Sequence, residues 1–127
     1  MKILYITYGV PDPPLGGALV HDFHVIRQLA QHHQVELFCL LEQPGQANPY
    51  TYLPQLQLPA HIFSSTPPGV HLFPNLARHL LARRPLATFP FFSEQLAARL
   101  REKIRSESFD IIQIEHSFLA PYIAAEP

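Results

Sequence analysis

The glycine pair Gly16-Gly17 is the first segment whose residue types could perform chemistry. It directly precedes an amphipathic stretch that is predicted to be a helix. A pair of glycines lets a ligand approach the backbone, and the dipole at a helix N-terminus favours an anion such as phosphate. The pair matches neither the Gly-x-Gly-x-x-Gly pattern nor the phosphate loop that ends in Gly-Lys-Ser/Thr. The pattern predicts either a phosphate-binding loop or a flexible turn without a ligand.

His116 is the second candidate, because it directly follows an apolar segment that is predicted to be a buried strand. A neutral imidazole there can act as a general base or donate a hydrogen bond to a developing charge. The alternative is an ordinary loop histidine. Glu115 is a second candidate base, although a strand-end carboxylate bonded to nearby backbone N–H groups is the simpler interpretation. Glu115 and Ser117 are also candidate contacts to an acceptor or to a cleft wall.

The eight histidines raise the question of a metal site. His21 and His24 are three residues apart on the predicted helix, a spacing that can place two ligands together. They fall on the predicted solvent face, however, and no set of carboxylates or cysteines completes them. Cys39 lies within a predicted strand and is expected to be a small core residue rather than a nucleophile. We therefore predict no metal site.

Strands and helices alternate in the regions that must position these residues. The β-branched and aromatic segment Lys2–Tyr8 predicts a strand buried on both faces. Residues 18–32 predict a helix, and Gln34–Leu41 predict a second strand. The resulting strand–helix–strand order is a βαβ unit. The expected buried stripe of its helix consists of Leu19, Phe23, Ile26 and Ala30.

The 14 prolines concentrate in the middle of the chain, which makes that part harder to interpret. A short strand is predicted near residues 61–64. A helix is predicted to begin with Pro74 in its first position and to end at Arg84-Pro85. Its expected apolar stripe consists of Leu76, Ala77, Leu80 and Leu81.

The last third of the chain predicts another helix followed by a strand. Ser93 is a plausible N-cap, and the buried face of the helix is predicted to contain Leu96, Ala97, Leu100 and Ile104. Residues 109–115 predict a strand. A final helix is expected to open at Pro121 and to be cut off by the end of the chain.

These elements predict an α/β fold, with an open, mostly parallel Rossmann-like sheet and helices on both faces, and the fold is expected to be truncated. Ligands of such sheets bind beyond the carboxyl ends of the strands, where the strand order reverses. In the common doubly wound order the first strand neighbours the strand at 109–115. The loops 9–17 and 116–120 would then meet, which places the candidate site between them.

Composition excludes several classes of protein. Apolar residues make up 47% of the chain and charged residues 15%, so global disorder is not expected. A net charge of −1 gives no broad cationic surface for nucleic acid. The single cysteine excludes an intrachain disulfide and suggests a reducing, cytoplasmic location. No apolar run is long enough to span a bilayer.

Residues 76–92 mix arginines with leucines and phenylalanines, a combination that can rest on anionic lipid. Peripheral contact with the inner face of the membrane through 76–92 is therefore one interpretation. The simpler alternative is a helix that packs on the core and carries solvated arginines.

The sequence also resembles a known family. Lys2–Tyr8, followed by Pro13-Pro14-Leu15-Gly16-Gly17-Ala18, resembles the start of nucleotide-sugar glycosyltransferases with the GT-B fold. Residues 29–37 match their Leu-Ala-x-x-His-x-Val-x-Leu run. Residues 109–116, with Leu119-Ala120-Pro121-Tyr122, are similar to their fourth-strand segment. The resemblance is to the retaining glycosyltransferase group 1 type, in its amino-terminal, acceptor-side domain.

The resemblance implies a division of labour between two Rossmann-like domains that face each other across a cleft. The amino-terminal domain mainly binds the acceptor, and the carboxyl-terminal domain binds most of the nucleotide-sugar and carries a paired-glutamate motif. Gly16 and Gly17 would approach the donor phosphates, and His116 would lie beside the transferring sugar. The family needs no metal and no cofactor, since the nucleotide-sugar is its substrate.

Residues 1–127 are therefore expected to be an incomplete amino-terminal domain, without the donor domain, of an enzyme that transfers a sugar to an acceptor hydroxyl. Little or no activity is expected from this polypeptide alone. One alternative is another enzyme on the same fold, such as a sugar-nucleotide epimerase. The other is a non-catalytic binding module that self-associates as a homodimer through exposed apolar surface.

Overall fold

The apolar segment at the start of the chain forms an interior strand of the sheet, with a neighbouring strand on each side. In the computed structural model, residues 1–41, 51–64 and 72–123 are described. Within them the strands are β1 (Lys2–Tyr8), β2 (Gln34–Leu41), β3 (Thr51–Leu53), β4 (Leu58–Ser64) and β5 (Ile111–Ile114). The α-helices are α1 (Gly17–Ala30), α2 (Leu72–Leu81) and α3 (Glu94–Ser106), and 3₁₀ helices cover Leu86–Phe91 and Ser117–Tyr122.

The strands form a single open sheet in the order β3-β4-β2-β1-β5. β1 pairs in parallel with β2 on one side and with β5 on the other, and Tyr5 lies opposite both Leu37 and Gln113. β4 continues the parallel set beside β2, and only the edge strand β3 is antiparallel. The predicted α/β class, the mostly parallel sheet and the neighbouring positions of β1 and β5 are thus confirmed.

Alternate residues of β1 enter two separate cores, one on each face of the sheet. Ile3 and Tyr5 pack in the core that contains Phe23 and Ile26 of α1. Leu4 and Ile6 pack in the core of Leu96, Ala97 and Leu100 of α3. Since full burial of one such aliphatic side chain contributes about 1.5–3 kcal/mol, packing on both faces holds β1 firmly between the two helical layers. Helices therefore cover both faces, as predicted.

Several predicted boundaries differ from the observed ones. β4 starts three residues before the predicted strand, and β3 was not predicted. α2 begins at Leu72, so Pro74 occupies its third position rather than its first. Proline is still tolerated there because first-turn N–H groups have no partner within the helix. α2 also ends earlier, before Arg83 at a positive φ of 54°.

The predicted final helix at Pro121 is wrong as stated. A 3₁₀ turn begins earlier, at Ser117, and contains Pro121. Its position follows from the burial of Leu119 and Tyr122 against α3 and β1. The Tyr122 hydroxyl donates to the Phe91 carbonyl (2.7 Å) and accepts from the Ser93 N–H (3.0 Å). The end of the prediction, residues 124–127, lies outside the described residues.

The apolar stripe predicted for α2 is wrong. Leu76 is half-buried, but Ala77, Leu80 and Leu81 are exposed. Among the residues of this helix whose burial is described, His79 is the buried one, at 2% exposed. Its Nε2 lies 3.1 Å from the Thr88 hydroxyl and 3.0 Å from the Pro85 carbonyl. These polar partners allow a histidine to occupy the inward position, which turns the leucines outward.

The N-cap of α3 is confirmed, because the Ser93 side chain accepts from the Leu96 N–H. Across the described ranges, none of the helices is both long enough and apolar enough to traverse a membrane.

Candidate functional site

The candidate site lies at the carboxyl edge of the sheet, where β1 and β5 end side by side. After β1 the chain turns at Gly9, whose φ is +94° and whose N–H donates to the Leu40 carbonyl at 2.7 Å. A Cβ at Gly9 would lie 3.1 Å from the Leu19 side chain. The turn thus requires glycine, both for its backbone conformation and for close approach to α1.

The N-terminus of α1 is open at this edge. Gly16 is its N-cap, with a φ of +87°, and within the described residues no side chain caps the first turn. Gly16 and Gly17 are exposed, and no atom of the described part of the chain lies within 4 Å of a Cβ built on either residue. The first-turn N–H groups and the positive end of the helix dipole are therefore accessible to an anion.

His116 lies just beyond β5 and is partly buried. Its ring stacks on Phe118, with centroids 5.1 Å apart and planes inclined by 7°. Its Nε2 is 3.9 Å from Oδ2 of Asp22, a residue of α1. This distance is too long for a hydrogen bond. The stacking fixes the orientation of the His116 ring, and a buried carboxylate lies near its Nε2.

Asp22 is a buried carboxylate that sequence reasoning did not select. Its side chain is 1% exposed, and its Oδ2 accepts from the Thr7 hydroxyl at 2.5 Å. Its Oδ1 has no hydrogen-bond partner within the described part of the chain. Burial raises the pKa of Asp22 and nearby Glu115 raises it further, whereas the Thr7 hydrogen bond and the two histidines His116 and His21 oppose the shift.

Glu115 joins the same group, with partners that differ from the predicted ones. Its Oε2 accepts from the Tyr5 hydroxyl at 2.6 Å, and its Oε1 is 2.9 Å from Nε2 of His21. The expected bonds from backbone N–H groups to this carboxylate are thus replaced by contacts with side chains. Burial, and then the bond to Glu115, raise the pKa of the Tyr5 phenol.

The structure therefore brings four of the predicted features to one edge: the glycine pair, Glu115, His116 and Ser117. The glycine pair lies at the start of α1. Asp22 follows about one and a half turns later on the same helix, and its carboxylate lies near the ring of His116. Glu115 precedes His116 directly, and Ser117 opens the following 3₁₀ helix and is exposed.

Tyr5, Thr7 and Asp22 were missed, although the sequence contains a signal for one of them. Asp22 is three residues after Leu19 and four before Ile26, so it occupies a position on the predicted buried stripe. A carboxylate in such a position must find partners or shift its pKa. Tyr5 and Thr7 carry no comparable signal, because both are ordinary residues of a strand.

His21 and His24 do not form a pair of ligands, but the predicted absence of completing carboxylates near His21 is wrong. His21, Asp22 and Glu115 place one potential ligand atom each within 4.8 Å of the others. The sequence does not pair these carboxylates with His21, because Asp22 is not among the candidates and Glu115 lies far away along the chain. His24 is exposed and lies outside this group.

Cys39 is a core residue, as predicted. It is fully buried in β2, and burial raises the pKa of its thiol to about 12. A thiol of this kind is a poor nucleophile.

A cavity of about 400 Å³ lies at the opposite edge of the sheet. It is lined by residues at the amino-terminal ends of β1 and β2, including Lys2, His33 and Gln34. Ligands of parallel sheets bind at the carboxyl ends of the strands. The polar groups of Asp22, Glu115 and His116 converge there, so we assign the candidate site to that edge.

We compared the chain with protein-family models, with curated proteins and with solved structures, and none of these comparisons found a match.

Proposed function

We propose that this chain is the amino-terminal, acceptor-side part of a GT-B glycosyltransferase of the retaining group 1 type. One observation carries the proposal: the open glycine N-terminus of α1 and His116 both lie at the carboxyl edge of β1 and β5. This is the edge where parallel sheets bind ligands. The resemblance of the segments that form this edge to glycosyltransferase sequences supports the proposal.

In this proposal, the backbone N–H groups that follow Gly16 contact a donor phosphate. Neither glycine adds a side chain that would block the approach. Most of the nucleotide-sugar would be held by a second Rossmann-like domain across the cleft. The first turn of α1 would then contribute the electrostatic stabilisation that an anionic leaving group needs.

His116 would position the transferring sugar or stabilise charge that develops on it. Its stacking on Phe118 fixes the plane of the ring, and the buried carboxylate of Asp22 lies 3.9 Å from its Nε2. Glu115 and exposed Ser117 would contribute contacts to the acceptor. No part of the proposed transfer requires a nucleophile from this chain, which agrees with the high pKa of the buried Cys39 thiol.

The exposed face of α2 supports a further part of the proposal, peripheral contact with anionic lipid. Phe73, Leu80 and Leu81 are 80%, 52% and 84% exposed, and the exposed Arg78 lies on the same helix. No acidic residue occurs between Glu42 and Glu94, and Arg78, Arg83 and Arg84 give the segment around α2 a net positive charge. Apolar and basic groups together match an anionic bilayer surface. An acceptor embedded in that surface would then be within reach of the enzyme.

Calorimetric titration with uridine or guanosine diphosphate tests the proposed phosphate contact. Gly17→Asp places a negative charge where the phosphate would bind, in open space and at a helix end that favours acidic residues. We expect this variant to fold normally and to bind the diphosphate at least about tenfold more weakly, a difference of about 1.4 kcal/mol.

Gln95→Asp is the matched control, since it adds the same charge to the first turn of α3. Diphosphate binding should be unchanged in this variant. Equally weakened diphosphate binding in both variants would show that net charge causes the effect, which would contradict the proposal. Absence of diphosphate binding to the wild-type chain would contradict it as well.

A further inference from the structure

His21, Asp22 and Glu115 form a compact set of potential ligands on two different elements. His21 and Asp22 are adjacent in α1, and Glu115 follows β5. One potential ligand atom from each lies within 4.8 Å of the others. An imidazole nitrogen with two carboxylate oxygens is a donor set that first-row divalent cations accept.

Each carboxylate of this set is already oriented by a hydroxyl group of β1. Thr7 donates to Oδ2 of Asp22, and Tyr5 donates to Oε2 of Glu115. These bonds hold one oxygen of each carboxylate, while the other oxygen of Glu115 faces His21 at 2.9 Å. Outer hydrogen bonds of this kind fix ligand orientation in metal sites.

The second oxygen of Asp22 is the independent observation that points to a ligand. The Asp22 side chain is 99% buried, yet its Oδ1 has no hydrogen-bond partner in the described part of the chain. A buried carboxylate oxygen without a partner costs free energy, which a bound cation would offset.

We propose that His21, Asp22 and Glu115 bind a divalent transition-metal cation, with water completing the coordination. Ligand atoms around a tetrahedral zinc ion are roughly 3.4 Å apart, given metal–ligand bonds of about 2.0–2.2 Å. His21 Nε2 and Glu115 Oε1 are 2.9 Å apart, so these two atoms are already close to that spacing. The His21 side chain is 62% exposed and has room to adjust.

This site goes beyond the proposed glycosyltransferase function and does not depend on it. His116 lies outside the ligand set but near Asp22, so a bound cation would sit beside the candidate catalytic histidine. The experiment uses the metal alone, without nucleotide. Failure of nucleotide binding therefore leaves the metal result intact, and the reverse also holds.

The test is a calorimetric titration of chelator-treated protein with Zn²⁺, repeated with Co²⁺ to record the visible absorption of the bound ion. We expect one equivalent of Zn²⁺ to bind. His21→Ala and Glu115→Gln should each weaken binding at least about tenfold, the effect of losing one ligand from such a site. Asp22→Asn should change the Co²⁺ spectrum, a signal that a purely structural role would not alter.

His24→Ala is the matched control, because this exposed histidine lies on the same helix outside the ligand set. Unchanged Zn²⁺ affinity in this variant, beside the loss in His21→Ala, would support the site. Equal losses of Zn²⁺ affinity in the two histidine variants would show that Zn²⁺ binds to surface histidines in general, which would overturn the proposal. Absence of stoichiometric Zn²⁺ binding by the wild-type chain would overturn it as well.

Discussion

Asp22 is the residue whose environment departs furthest from that of an ordinary surface carboxylate. It is buried between α1 and the end of β1, and within the described residues only one of its two oxygens has a hydrogen bond. Buried charges are expensive unless they are fully paired. The residue therefore lowers stability at neutral pH, a cost that natural proteins often carry at functional sites.

Replacing Asp22 tests this cost. The pKa of Asp22 is raised in the folded state, so folding favours the protonated carboxyl. This stabilising contribution is complete below the unfolded pKa of about 3.9 and is lost as pH rises through the folded pKa. In the presence of chelator, Asp22→Asn should therefore raise the free energy of unfolding at pH 7 by about 1 kcal/mol. The gain should shrink towards pH 4. Urea titrations of both proteins across pH measure it, and a gain that grows on acidification would contradict the assignment.

His116 is the residue to which the proposed function assigns the most chemistry. In an enzyme that combines this domain with a donor domain, His116→Ala should lower turnover at least about tenfold, since it removes a group beside the reacting sugar. His24→Ala is the control, because His24 is an exposed histidine away from the edge. Near-normal turnover in His116→Ala, measured by release of nucleoside diphosphate, would exclude this role.

Single residues were only partly predictable from the sequence. Gly16, Gly17, Glu115 and His116 stand out because their positions relative to the predicted strands and helices suffice to select them. Tyr5 and Thr7 acquire a role only through the side chains opposite them. Those partners depend on how α1 packs on β1 and on the pairing of β1 with β5, which spacing within the chain does not reveal.

At the scale of elements, prediction succeeded where apolar periodicity alone decides the structure. β1, β2, α1 and α3 are long segments of this kind, and their positions differ from the predictions by only a few residues. α2 failed because its inward position is held by His79, whose polar partners Thr88 and Pro85 lie in the following turn. The apolar spacing of a short helix therefore predicts its buried face poorly when a histidine with hydrogen-bond partners occupies the buried position.

The exposed face of α2 leads to a prediction about lipid. The wild-type chain should sediment with vesicles that contain anionic lipid. Leu81→Gln should reduce the bound fraction by severalfold, since it removes apolar area that the bilayer would bury. Leu15→Gln is the control, because Leu15 is also exposed, at 71%, but lies outside α2. Equal binding of both variants would contradict a role for this face. A wild-type dimer in sedimentation velocity, with no vesicle binding, would favour self-association instead.

The packing of α3 beside β1 includes an ionic cluster with its own pH dependence. Glu107 accepts hydrogen bonds from Lys103 and Lys2, and these bonds, Lys103 first, lower the pKa of the Glu107 carboxyl to about 2. Its stabilising contribution is present above the unfolded value of about 4.5 and is lost as pH falls towards 2.

Glu107→Gln should therefore lower the free energy of unfolding at pH 7, by less than about 1 kcal/mol because the side chain is partly exposed. The difference from wild type should vanish near pH 2. Glu102→Gln, at an exposed position of the same helix, is the control. A difference that is constant from pH 7 to pH 2 would show that the ionic bonds do not carry the effect.

At the scale of the whole molecule, the sheet order determines where the site can form. β1 lies between β2 and β5, so the loop that leads into α1 and the turn that follows β5 share one edge. The sequence predicted this arrangement because a βαβ start and a later buried strand leave few alternatives in a parallel sheet. The sequence did not predict the antiparallel edge strand β3, because three residues are too few to show the pattern of side chains that indicates a strand.

The central claim is that this shared edge binds the diphosphate of a nucleotide-sugar. The most direct test is a titration of ¹⁵N-labelled protein with uridine diphosphate, followed by amide chemical shifts. We predict that the largest shifts occur at the first turn of α1, from Gly17 to Val20, and at His116 and its neighbours. Shifts confined to the cavity at the opposite edge, around Lys2 and His33, or no shifts at saturating ligand, would contradict the claim.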